Sequence, residues 1–283
     1  TDVEPAIFTS MGVLAADYSA GTVPATFSQA FAVGASKSLY EALQSAQGLT
    51  VGATDAANQP TIGKAQIVAL INNNDFNDAK NQGPAFLVPG TTQTNITYCR
   101  RPNTSGTQAA AELYFLQNPT ATGALGGAST IHDPSTGANN ATVVVDNGTG
   151  KTLTVQLNSG TGDVKKCLNN STTVANSFAF GMLSAENNPI GTSDTYRIVK
   201  VQGASTTAGV SGDSQTANAI KGLYDYVYES ALFNPTGNAV LDLINANIKT
   251  GTGTPGVFLN INSATPESNF TRNGSSVNAY TSN

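Results

Sequence analysis

The chain has 283 residues, of which 11% are charged, with a formal net charge of -5 and an isoelectric point near 4.7. That length accommodates one large domain or two lobes around a buried core, while charge this sparse, against roughly 25% in ordinary soluble domains, leaves Asn, Thr, Ser, Gln and Gly to make the polar surface. The acidic balance, with no clustered Lys and Arg, excludes a nucleic-acid face and a polybasic membrane patch, and no apolar run approaches the roughly 18 residues of a membrane-spanning helix.

Thr1 does not read as a gene start: neither an initiating Met nor a signal peptide is present, so any export segment is expected to have been removed or to lie outside this sequence. Residues 26–34 (TFSQAFAVG) read as a strand. Residues 36–47 read as a helix with Ser36 as N-cap and Leu39, Leu43 and Ala46 on one face. A second helix is predicted at 63–71, a strand over Asn95–Arg100, and a helix over 106–117 (GTQAAAELYFLQ) stopped by Asn118 and Pro119.

From about Pro119 to Asn176 the texture shifts to Gly, Ser, Thr and Asn, broken by β runs at Thr142–Val145 and Thr152–Leu157. Between them Asp146-Asn147-Gly148 is a tight-hairpin signal, because Asn and Gly tolerate positive φ. The segment is expected to form an inserted β-hairpin subdomain. Gly148–Thr152 (GTGKT) lacks the first glycine of a phosphate loop and does not precede a helix, so it reads as a turn. Strands follow at 178–184 and 195–202, with an aromatic strand at 223–230. A helix over about 236–248 would turn Val240, Leu243, Ile244 and Ile248 toward a core. Strands alternating with helices define an α/β layer architecture.

Cys99 and Cys167 are too far apart in sequence for a close zinc pair or a Cys-x-x-Cys redox motif, and a disulfide is the natural reading, with two separate buried thiols as the alternative. The bridge would tie the hairpin segment to the Tyr98 strand. Sequons at Asn95, Asn103, Asn140, Asn147, Asn169, Asn170, Asn269 and Asn273 are what a chain rich in Asn, Ser and Thr produces by composition.

Chemistry concentrates in Arg100-Arg101-Pro102-Asn103-Thr104-Ser105-Gly106-Thr107, between a predicted strand and helix. Helix-start amides attract anions. Ser105 and Thr107 add hydroxyl donors, Gly106 admits a ligand to the backbone, and an arginine can grip an oxyanion through paired hydrogen bonds. The alternative is a simple helix cap.

At these residues the chain resembles the phosphate-binding proteins of bacterial phosphate transporters, members of the type II periplasmic binding fold. Arg101-Pro102-Asn103-Thr104-Ser105-Gly106-Thr107 is similar to that family's Arg-x-Asp-x-Ser-Gly-Thr segment, with Asn103 in place of the aspartate. FAFGMLSAENN from Phe178, residues 27–44 and Thr1-Asp2-Val3 resemble further family segments in the same order. The resemblance implies two lobes: residues 1–33 and 222–283 as an incomplete first lobe, residues 34–221 as a second lobe carrying the β-rich insertion at about 119–176. It implies that Arg101, Ser105, Gly106 and Thr107 hold phosphate or a similar oxyanion, that Asp2 accepts a hydrogen bond from a protonated oxygen of it, and that a transporter permease is a partner. The family's opening strands are missing from this sequence.

A lobe short of strands exposes sheet edges and apolar surface. A rival expectation is therefore a structural subunit of an extracellular filament or surface assembly, with another chain supplying the missing segment. Catalysis is not expected. His132 is the single histidine and has no Gly-x-Ser-x-Gly partner, Asn72–Asp78 (NNNDFND) lacks the glycine and glutamate of a calcium loop, and no cofactor motif is present.

Overall fold

The computed structural model describes residues 22–23, 27–72, 83–116, 138–202, 219–220, 222–230, 232–233, 238–251, 259–260, 270–271 and 281–282. The strands are β1 (Thr22–Val23), β2 (Phe27–Ala35), β3 (Thr61–Gly63), β4 (Asn95–Arg100), β5 (Thr142–Asp146), β6 (Thr152–Leu157), β7 (Phe178–Ser184), β8 (Arg197–Gln202), β9 (Val227–Glu229), β10 (Leu232–Phe233), β11 (Leu259–Asn260), β12 (Phe270–Thr271) and β13 (Thr281–Ser282). The helices are α1 (Lys37–Ala46), α2 (Lys64–Ile71), α3 (Pro84–Leu87), α4 (Gly106–Ala111), α5 (Thr161–Leu168) and α6 (Ala239–Gly251).

A nine-stranded mixed sheet runs β3-β8-β2-β7-β4-β6-β5, with β9 and β11 also paired to β2, so the expected α/β character holds. β4 lies parallel to both β6 and β7, which requires helical crossovers, and β2 lies antiparallel to β7 and β8. One strand serves two groups of partners: Ser28–Ala30 pair with β9, whereas Phe31–Ala35 pair with β7.

Alternation along the central strands builds a core on each face. Phe178, Phe180 and Met182 of β7 join the larger cluster with Tyr98, while Ala179 and Leu183 join a second cluster with Cys99, Val164, Cys167, Leu168 and Tyr196. The second cluster lies beneath α5 and contains the disulfide, with Cα atoms of Cys99 and Cys167 5.9 Å apart. Gly181 lets this layer close: a Cβ there would stand 2.9 Å from the Cys99 carbonyl oxygen.

Several expectations are corrected. The hairpin is not a separate subdomain, because β6 pairs along its whole length with β4 and makes β5 an outer strand of the main sheet. Its turn falls where expected, as a loop between the paired Asp146 and Thr152 with Gly148 at a φ of 76°. Asn147 Oδ1 gathers Thr149 N at 3.0 Å and Thr149 Oγ1 at 2.7 Å, and Asp146 Oδ1 accepts Gly148 N at 2.8 Å, so side chains hold the loop. Helix α5 was not anticipated within the Gly- and Asn-rich stretch. On α1, Ser36 caps as expected, accepting from Leu39 N at 3.4 Å, but Ala46 is exposed and the inward face is Leu39, Tyr40, Leu43 and Gln44. Only Val227–Glu229 of the aromatic segment is strand, since Tyr224 and Tyr226 instead use their bulk to fill the core above β2. The expected core face of α6 is solvent-facing: Val240, Leu243 and Ile244 are 64%, 63% and 46% exposed. Ile248's side chain, Asp2, His132 and residues 73–78 lie outside the described residues.

Candidate functional site

β4 and β6 are neighbouring parallel strands, and each is followed by a helix that starts at their shared carboxyl end. That edge of an α/β sheet is where ligands characteristically bind. β4 ends at Arg100, whose carbonyl accepts Asn158 N at 2.8 Å and Asn158 Nδ2 at 3.2 Å, tying the exit of β6 to the exit of β4. The chain then turns, with Ser105 N donating to Pro102 O at 2.9 Å, and the helix begins when Ala109 N donates to Ser105 O at 3.0 Å. The amides of Gly106, Thr107 and Gln108 therefore precede the helical ladder.

The guanidinium that shapes this turn is that of Arg100, not Arg101. Period-two alternation puts Arg100 on the inner face with Ile96 and Tyr98, and its side chain is fully buried. Nη1 donates to Arg101 O at 2.8 Å, while Nη2 donates to Glu112 Oε1 at 3.2 Å and to Asn103 Oδ1. Glu112 is 95% covered, so the ion pair is buried on both sides. Gln108 completes the network: its Nε2 donates to Glu112 Oε1 at 3.0 Å, and its Oε1 accepts Tyr98 OH at 3.2 Å and Arg101 N at 3.3 Å. Two acidic and amide groups spaced i,i+4 on the helix thus face a strand-end arginine, and the backbone of residues 101–103 is clamped from below.

The helix widens at this point. α4 is followed by a π turn over Glu112–Leu116, every residue of which is buried. The expected continuous α-helix over 106–117 is corrected accordingly, and insertions of this kind recur at functional sites.

Of the expected ligand residues, Ser105, Gly106 and Thr107 stand together at the helix start, and Arg101 lies across the turn from them. Arg101 is half-buried and its Nη1 donates to Thr161 Oγ1, the first residue of α5, at 3.3 Å. Asn103 Oδ1 accepts from Arg100. Ser105 occupies the N-cap position without making a capping bond, and among the described residues neither its hydroxyl nor that of Thr107 has a hydrogen-bond partner, although both residues are largely covered. Simple capping therefore does not account for Ser105. Sequence reasoning gave Arg100 no role of its own and missed Gln108, Glu112 and Thr161. Strand alternation would have found Arg100, and helical i,i+4 spacing would have linked Gln108 to Glu112.

A concavity of about 360 Å³ lies between α1 and the loop after α5. Two of its three asparagines are consumed internally: Asn169 Oδ1 accepts Thr195 N and Tyr196 N, at 2.8 and 3.0 Å, and Asn170 Nδ2 donates to Thr173 Oγ1 at 2.8 Å. Among the described residues no cluster of His, Cys, Asp or Glu is arranged to hold a metal ion, and no helix is long and apolar enough to cross a membrane. The disulfide is compatible with an extracytoplasmic setting. No model of a known protein family matches the chain, and no curated protein or solved structure does.

Proposed function

We propose that the chain is an extracytoplasmic solute-binding protein of the phosphate-binding type, holding a tetrahedral oxyanion at the turn that enters α4. The observation that carries this reading is the pair of uncommitted hydroxyls, Ser105 and Thr107, set at a helix start whose supporting turn is locked by a buried arginine network. Preorganised donors on a rigid frame bind with little ordering cost. Arg101 supplies the charge from the side of α5, and the Thr161 hydroxyl orients it. In this reading β2 is the strand that passes between two lobes, and a permease is the partner.

Calorimetric titration with phosphate and with sulfate tests the proposal. Binding of at least one anion is expected, weakened tenfold or more by Arg101→Ala and by Thr107→Val, each loss corresponding to at least about 1.4 kcal/mol. Absence of heat with both anions, or binding unchanged in Arg101→Ala, overturns it.

A second reading, a structural subunit of an extracellular assembly, is favoured by the exposed apolar face of α6. Electron microscopy of native material distinguishes it: isolated particles at high concentration count against an assembly.

A further inference from the structure

The main sheet has two outer edges, and they are treated differently. At β3 the outward backbone groups are occupied by glutamine side chains: Gln47 Oε1 accepts Thr61 N at 3.0 Å, Gln47 Nε2 donates to Thr61 O at 2.8 Å, and Gln66 Oε1 accepts Gly63 N at 2.7 Å. That edge is closed to another strand.

β5 has no such cover. Backbone bonds at Ala141–Leu157 and Asn147–Lys151 flank its register with β6. By the alternation of antiparallel ladders, Val143 and Val145 bond inward, and Thr142, Val144 and Asp146 turn their N–H and C=O groups outward. Those three residues are exposed, Val144 at 60%, and among the described residues their outward backbone groups have no partner. The strand reads Thr-Val-Val-Val-Asp, without the lysine or proline that ordinarily blunts an edge, and the bulge that sets Asn140 and Ala141 opposite Leu157 lies before it.

We propose that β5 is an intermolecular edge on which a second copy of this chain lays its own β5, antiparallel, about a twofold axis at Val144. The strand is self-complementary in that register: Val144 faces Val144 of the second copy, and Asp146, the strand's charged residue, faces Thr142. Moving the axis to Asp146 would oppose two carboxylates. Moving it to Thr142 would run into Asn140, whose φ of 67° takes the backbone out of extended conformation. A twofold pairing uses the edge up, so the product is a closed dimer joining two sheets and not a growing fibre. The inference rests on neither reading of function.

Sedimentation across a wide concentration range is the test. The native chain is expected to pass from one chain mass to two, and Val144→Pro to remain at one. Proline removes an outward N–H and leaves the ladder to β6 intact. Because both native cysteines are bridged, Val144→Cys adds a lone thiol, and oxidation is expected to cross-link it far faster than Thr149→Cys on the neighbouring loop. This second variant needs no disruptive substitution. A native chain that stays at one mass, a Val144→Pro variant that dimerises as the native chain does, or equal cross-linking of the two cysteine variants overturns the proposal. Dimers lost in Leu243→Asp but kept in Val144→Pro would likewise overturn it, placing association on α6 and leaving the assembly reading standing.

Discussion

Tyr226 stacks on Tyr114 with ring centroids 4.4 Å apart and meets Phe31 and Phe115 at 5.4 Å, yet among the described residues its fully buried hydroxyl has no hydrogen-bond partner. Its neighbours are better served: Tyr114 OH donates to Asp225 Oδ1 at 2.7 Å and Tyr224 OH donates to Phe31 O. An unsatisfied buried hydroxyl costs about 1–3 kcal/mol, so Tyr226→Phe is expected to raise stability by about 1 kcal/mol in urea unfolding; a loss would mean that the hydroxyl is engaged. Burial also raises the pKa of these phenols. Tyr40 is pushed up to about 12 by burial, partly offset by Arg197, and burial holds Tyr114, Tyr196, Tyr224 and Tyr226 higher still. In the unfolded chain they ionise near the ordinary value of about 10. Above that pH the unfolded chain holds fewer protons than the fold, so stability present below pH 10 is lost as pH rises, for Tyr40 through about 12. Urea midpoints that stay level between pH 9 and 11.5 would refute this. The choice between Arg100 and Arg101 belongs to the same scale. Both arginines look alike as letters, and only position separates them: Arg100 ends β4 on its inner face as the buried clamp, and Arg101 lies just past the strand, half-buried.

Among elements, α5 carries the most weight for its length. It packs Val164, Cys167 and Leu168 onto β7 and β4, starts beside Arg101, and is covalently fixed to β4. Replacing both cysteines by alanine is expected to lower stability by roughly 4 kcal/mol on the chain-entropy account of a loop this long; a cost under about 1 kcal/mol would show that packing alone holds α5 in place. The periodicity of α1, α2 and β7 made these elements legible in the sequence, since each buries a stripe or a run of apolar residues. α5 was not, because Thr-Gly-Asp-Val-Lys-Lys-Cys-Leu carries weak formers and few apolar positions, and its stability comes from tertiary contacts. For α6 the period was readable, but nothing in it told whether another surface covers the stripe.

At the scale of the molecule, the alternation of strands and helices disclosed the layer architecture, whereas the sheet order did not follow from it. The Gly-rich texture around the hairpin suggested a separate unit, yet pairing of β6 with β4 depends on a match across 57 positions of chain between Asn95 and Thr152, which local pattern does not encode. The turn between β4 and α4 was readable at residues 101–107, and its rigidity was not, because Gln108 and Glu112 gain their roles only when the helix folds back over the strand end. The Cys99–Cys167 bond also has a mechanical side. Tension applied through the two chain ends would travel across the sulfurs and bypass the 68 positions between them, withholding about 230 Å of contour length. A protein standing outside a cell in flowing liquid would thus extend far less when tugged, and β5 and β6 would remain beyond the reach of the pull for as long as the bond stayed oxidised.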